Sequence, residues 1–154
     1  MIGRDTVPTE EPLSMTARIR LADSFVRDTL SGALGALTYR PGPDGKWDLY
    51  DPPSTEEELA PILASIARGH AAANETRHAM LAFQYGLSQD DERLARLAVD
   101  DQYDWTSTTR RAWIKRIYSS LYPAAPLPGL AAEVDIVPAN LEEWIEIRDA
   151  DSQF

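Results

Sequence analysis

Apolar positions recur at helical spacing along most of the chain, and the breaks between stripes fall at capping residues, glycines and prolines. Ser14 or Thr16 offers an N-cap to a helix running to about Leu34, whose buried stripe is Ile19, Ala22, Val26, Leu30 and Ala33, with Leu37 continuing it. Gly32 and Gly35 weaken its end by about 1 kcal/mol each in helix propensity. Two short β-prone runs follow, Ala36–Arg40 and Lys46–Tyr50, around the turn Gly42-Pro43-Asp44-Gly45. They predict a hairpin lying against the helices, or else an ordered loop anchored by two aromatics.

Asp51-Pro52-Pro53 stops that segment, and Ser54 with Glu57 reads as a capping box. The helix behind it is expected to reach Tyr85 and end at Gly86, with Pro61 causing a late start or a kink. Leu59, Ile62, Leu63, Ile66, Ala67, Met80 and Leu81 form its stripe, and its alanine-rich centre would let another backbone approach closely. Ser88 is expected to cap a third helix with Leu94, Leu97 and Ala98 inside, ending around Asp100–Asp104. Thr106 or Ser107 caps a fourth, with Ile114, Ile117, Tyr118 and Leu121 on one face. The proline-rich run after Tyr122 must be extended. Glu133–Val137 reads as a short edge strand, and Asn140 as the cap of a last, acidic helix.

The fold class is therefore mainly α: a single-domain bundle of four to five helices with a minor β-hairpin and an extended Pro-rich C-terminal segment. Residues 1–13 read as a flexible N-terminal arm and 14–122 as the helical core. Residues 123–154 read as an extended segment and a short acidic helix packed on that core. A length of 154 residues suits one domain.

Charge changes the picture in one place. The formal net charge is −10, yet residues 105–122 hold Arg110, Arg111, Lys115 and Arg116 with no acid, leaving −14 on the rest. An acidic whole disfavours nonspecific contact with nucleic acid or anionic membrane. The basic helix is thus the expected docking surface, with Trp105 and Trp113 as flanking hot-spot candidates, since Trp and Arg dominate such spots. In a helix-turn-helix reading, Thr108, Thr109, Arg110 and Arg111 would be the first contacts of a recognition helix. The competing reading pairs these bases with acids of the same chain.

The absence of cysteine excludes disulfide scaffolds, thiolate nucleophiles and Cys-based zinc or iron–sulfur sites. No signal-peptide core or membrane-length apolar run occurs, so a cytoplasmic location is expected. Helical arithmetic places His70 and Arg77 on the buried face of the second helix and Asp23 on that of the first. With Asn74 they predict a buried polar cluster, either a ligand or acid–base site or a structural ion pair. Glu75-Thr76-Arg77-His78 has the E-x-x-H spacing of di-iron bundles but occurs once, and the chain has two histidines, so neither metal nor cofactor is expected.

None of the common hydrolase, phosphate-loop or dinucleotide motifs is present. The leading expectation is a non-enzymatic interaction protein (an adaptor, an inhibitor or a small subunit) that binds another protein or itself. One concrete version is an acidic inhibitor of a nucleic-acid-binding enzyme, encoded by a phage or mobile element. The alternatives are a helix-turn-helix regulator touching DNA only through residues 108–122, and a ligand-binding or enzymatic bundle built on Asp23, His70 and Arg77.

Overall fold

The first apolar stripe becomes the helix on which the other elements converge. The computed structural model describes residues 19–125 and 134–151. Along them run β1 (Ile19–Ala22), α1 (Asp23–Thr38), β2 (Tyr39–Pro41), β3 (Trp47–Leu49) and α2 (Glu56–Ala72). Then come α3 (Thr76–Leu87), α4 (Asp91–Leu97), α5 (Ser107–Leu121), β4 (Val134–Val137) and α6 (Leu141–Asp151). Helix dominates, as its periodicity requires. Val26, Leu30, Leu34 and Leu37 of α1 are fully buried against Phe83 of α3, Leu94 of α4 and Ile114 and Ile117 of α5. The expected arm of residues 1–13 lies outside the described residues.

Among the described residues six helices replace the expected four to five, because the long second helix breaks at Asn74. The Asn74 N–H bonds to Ala71 O at 3.0 Å and the Glu75 N–H to His70 O at 2.8 Å. These are the two reverse bonds of a Schellman closure, with Asn74 at φ 57° in the left-handed position. Asparagine is, after glycine, the residue that tolerates that conformation best. The alanine-rich stretch of α2 does not receive a backbone, since Ala64, Ala67, Ala71 and Ala72 are exposed. Pro61 sits inside α2, which starts on time.

The helix expected to run from Ser14 or Thr16 through Ile19 and Ala22 begins, among the described residues, only at Asp23. Ile19–Ala22 instead forms a strand paired in parallel with Val134–Val137, from Ile19 opposite Val134 to Ala22 opposite Val137. Leu21, Ala22 and Val134 are buried by this pairing. α1 also runs through both glycines to Thr38, so the first three residues of the expected hairpin strand are helical.

Caps shift by a residue or two where several polar candidates compete. Thr55, not Ser54, caps α2, accepting from the Glu58 N–H at 3.1 Å, while Glu58 Oε1 accepts from the Ser54 N–H at 3.0 Å. Those hydrogen bonds hold the Glu58 carboxyl below its ordinary pKa. Asp90 caps α4, and Ser88 closes the end of α3. Thr106 with Thr109 and Asn140 with Glu143 form reciprocal boxes where the sequence places those caps. Among the described residues no helix is long and apolar enough to cross a membrane.

Candidate functional site

The hairpin forms because a four-residue turn closes it. The Gly45 N–H reaches Gly42 O at 2.9 Å, with Pro43 in the second turn position and Gly45 at φ 79°. The resulting register pairs Tyr39 with Leu49, Arg40 with Asp48 and Pro41 with Trp47. Side chains alternate across a strand, so Tyr39, Pro41, Trp47 and Leu49 share one face and Arg40 and Asp48 the other. The ribbon is fastened to the helices at its base. There the Tyr50 N–H donates to Thr38 O at 2.6 Å, and Arg40 Nη1 donates to Leu37 O and, at 3.1 Å, to Asp51 O. Arg40 also lies over the Tyr50 ring at 5.1 Å.

That shared face is apolar and open to solvent. Trp47 is 60% exposed, Leu49 48% and Tyr39 43%, and the Tyr39 and Trp47 rings lie 5.3 Å apart, tilted by 38°. Tyr39, Pro41 and Trp47 form one wall of a groove of about 460 Å³, and Pro61, Ile62 and Ser65 of α2 form the other, with Arg68 at one end. Trp47 Nε1, the Tyr39 hydroxyl and the Arg68 guanidinium make no hydrogen bond among the described residues. The groove thus joins aromatic walls to unengaged donors, which is the composition of interaction hot spots.

The basic helix is the opposite case. Arg111 Nε donates to Asp91 Oδ1 at 2.8 Å, and its terminal nitrogens to Leu87 O at 3.1 Å and Gln89 O at 2.7 Å. Arg110 Nε donates to Ala98 O at 3.1 Å, and Arg116 pairs with Glu56 at 2.7 Å while lying over the Trp113 ring at 4.9 Å. Trp113 is half-buried. Trp105 is buried, its Nε1–H donating to Asp100 Oδ2 at 2.9 Å and its ring packed on Tyr103 at 4.7 Å. Lys115 is exposed. The three arginines of the expected cationic docking surface thus bond to acceptors of the chain itself, and one of its tryptophans is core.

The expected buried cluster does not assemble either. Arg77 and Asn74 are exposed, and no ion pair joins Arg77 to Asp23. Asp23 Oδ1 instead accepts from the Ser24 N–H at 2.8 Å and the Ala139 N–H at 3.1 Å, tying the start of α1 to the loop before α6. His70 is half-buried with Nδ1 unpartnered among the described residues, and burial pushes its pKa down. Helical arithmetic failed here because the chain turns at Asn74, which breaks the phase between His70 and Arg77.

The least exposed ion pair among the described residues is elsewhere. Glu75 Oε2 accepts from Arg148 Nη1 at 3.2 Å and Trp144 Nε1 at 2.8 Å, fixing α6 to the start of α3. Partial burial works against the charge of Arg148, but hydrogen bonds and charge from Glu75 and Asp149 hold its pKa above the ordinary arginine value. Trp144 is 2% exposed, stacks on Phe25 at 4.4 Å and meets the His78 ring edge-on at 5.2 Å. The E-x-x-H pair thus flanks a tryptophan. No group of His, Asp and Glu suited to a metal occurs among the described residues.

Tyr39, Pro41 and Leu49 of the ribbon and Pro61, Ser65 and Arg68 of α2 are site residues that sequence reasoning missed, while Trp47 lies in one of the two β-prone runs it marked. The signal was present in the turn: with Gly45 in the left-handed position of a three-residue loop, Gly42 pairs with Lys46, and counting outward from that pair puts all four ribbon residues on one face. Comparison with protein-family models, curated proteins and solved structures finds no match for the chain.

Proposed function

We propose that this protein is a non-enzymatic interaction protein whose contact surface is the apolar face of the hairpin with the adjoining α2 groove. One observation carries the reading: Trp47 is 60% exposed beside Tyr39 on a face that no element among the described residues covers. Monomeric proteins rarely leave contiguous aromatic surface in water unless a partner covers it. An adaptor, an inhibitor or a subunit of a larger assembly all fit this description. The basic helix lends little support to the helix-turn-helix alternative, because the Arg110 and Arg111 groups that would meet DNA are held by carbonyls and Asp91. The acid–base alternative finds little support, because Asp23, His70 and Arg77 form no cluster among the described residues.

The test is affinity capture from the native host with the wild-type chain and with Trp47→Glu, followed by mass spectrometry. A protein recovered with the wild type and lost with the variant is the expected result. Identical recovery with both would sink the surface.

A further inference from the structure

Resting on that reading, we infer that the groove between the hairpin and α2 binds a proline-rich, extended peptide segment carrying an acidic residue at its Arg68 end. The first reason is the pattern of donors. Trp47 Nε1, the Tyr39 hydroxyl and Arg68 are available to donate, whereas the groove's one carboxylate, Glu58, has Oε1 engaged by Ser54 and Thr55. A helical ligand keeps its carbonyls within its own ladder and offers those donors nothing. A β-like ligand adds N–H groups that would face no acceptor on these walls. A polyproline II segment has every carbonyl outward and few N–H groups, so it complements a donor-rich wall.

Shape supports the same occupant. Glu58, Pro61, Ile62, Ser65 and Arg68 form one stripe of α2 at spacings of three and four residues. At 1.5 Å per residue it is about 15 Å long, which matches about five residues of polyproline II at 3.1 Å each. Flat pyrrolidine rings pack against aromatic faces set side by side, as Tyr39 and Trp47 are. Charge sets the polarity. Residues 39–58 hold six acids and two bases, which repels nucleic acid, while Arg68 at the far end of the stripe pairs with no acid among the described residues. The same acidic surroundings, on a chain of net charge −10, oppose a second copy docking face to face.

The experiment titrates capped synthetic peptides, PPLPPEE and the reversed order EEPPLPP, into the full chain. The Trp47 indole N–H resonance is followed, with GGLGGEE and PPLPPKK as controls. One acid-bearing proline peptide is expected to shift that resonance saturably, and the glycine peptide to bind at least about 10-fold more weakly, because it must be ordered on binding. Trp47→Ala, read by the Tyr39 ring signals, is expected to lose about 10-fold or more in affinity. Arg68→Glu is expected to reverse the preference between PPLPPEE and PPLPPKK.

Absence of any shift with either proline peptide at millimolar concentration overturns the inference. So does equal binding of the glycine peptide, or an affinity indifferent to both substitutions. If sedimentation shows a dimer that Trp47→Ala dissociates and no peptide disrupts, a second copy fills the groove and the inference also falls. In that case, or if capture of a protein partner still depends on Trp47, the interaction surface stands without its proline-rich occupant. Capture that ignores Trp47 removes the surface itself.

Discussion

The hairpin face and the basic helix α5 differ in what the chain does with its own groups. α5 holds four cations, and three of them bond to acceptors on α2, α4 and the α3–α5 loops of the same molecule. The ribbon holds two large aromatics, and the fold leaves both in solvent. The reason is supply. In a chain with 25 acids and 15 bases a cation finds a carboxylate or carbonyl nearby almost wherever it lies. The Trp47 indole finds no such cover among the described residues and stays 60% exposed. Local excess of charge is therefore a weak sign of a docking surface in this protein. Uncovered aromatic area is the stronger one.

Two tryptophans give the largest test of that contrast. Trp105→Ala removes a ring packed on Tyr103 within the core, and unfolding free energy is expected to fall by about 3–5 kcal/mol. Trp47→Ala removes a ring that stands in water, and the change should stay within about 0.5 kcal/mol. Urea denaturation of both variants measures the difference. Comparable losses would show that the ribbon face is integral to the core, and the comparison would collapse.

Arg111 tests the other side. Its guanidinium bridges Asp91, Leu87 O and Gln89 O, and is 30% exposed. Arg111→Ala strands two carbonyls and a carboxylate, so a loss of about 2 kcal/mol is expected. Lys115→Ala on the same helix should change stability by less than about 0.5 kcal/mol. Thermal midpoints measured in parallel separate an engaged cation from a solvated one.

What the sequence made legible follows the range of the interactions involved. Helical stripes, the Gly42–Gly45 turn and the Thr106 and Asn140 caps are local, and the spacing of neighbouring residues shows them. The β1–β4 pairing joins residues about 115 apart, so Ile19 and Ala22 looked helical when a distant strand had claimed them. The Asn74 break is local yet was hidden, because an asparagine in the left-handed conformation leaves no mark as strong as a glycine would. The candidate site was half visible. Trp47 stood out as an aromatic, but only the hairpin register puts it beside Tyr39, and only the packing of α2 supplies the opposite wall.

The pair Arg116–Glu56 sharpens the comparison at lower energy. Its side chains are 43% and 77% exposed, so the 2.7 Å contact is well screened despite its length. A double-mutant cycle should return a coupling below about 1 kcal/mol in dilute salt, shrinking toward zero at about 1 M, where the screening length is about 3 Å. A zero coupling alongside a clear loss for Arg116→Ala alone would indicate that Arg116 acts by covering Trp113 rather than by its charge.

His70 adds a third situation, a polar atom neither engaged nor in water, and the smallest expected effect. Its Nδ1 is buried without a partner among the described residues, and burial lowers its pKa below the ordinary 6.5 despite the opposing charge of Glu75. Well above pH 6.5 the ring is neutral in the folded and unfolded chain alike, and it contributes no pH dependence. As the pH drops below that value the unfolded chain takes up a proton that the folded chain refuses. Stability falls through this window and levels off once the lower, folded-state pKa is passed. His70→Gln cannot titrate, so its thermal midpoint should decline less than that of the wild type between neutral pH and the mildly acidic range above carboxylate titration. Parallel slopes for the two proteins would mean that the imidazole is equally easy to protonate in both states, and that the fold imposes no cost on it.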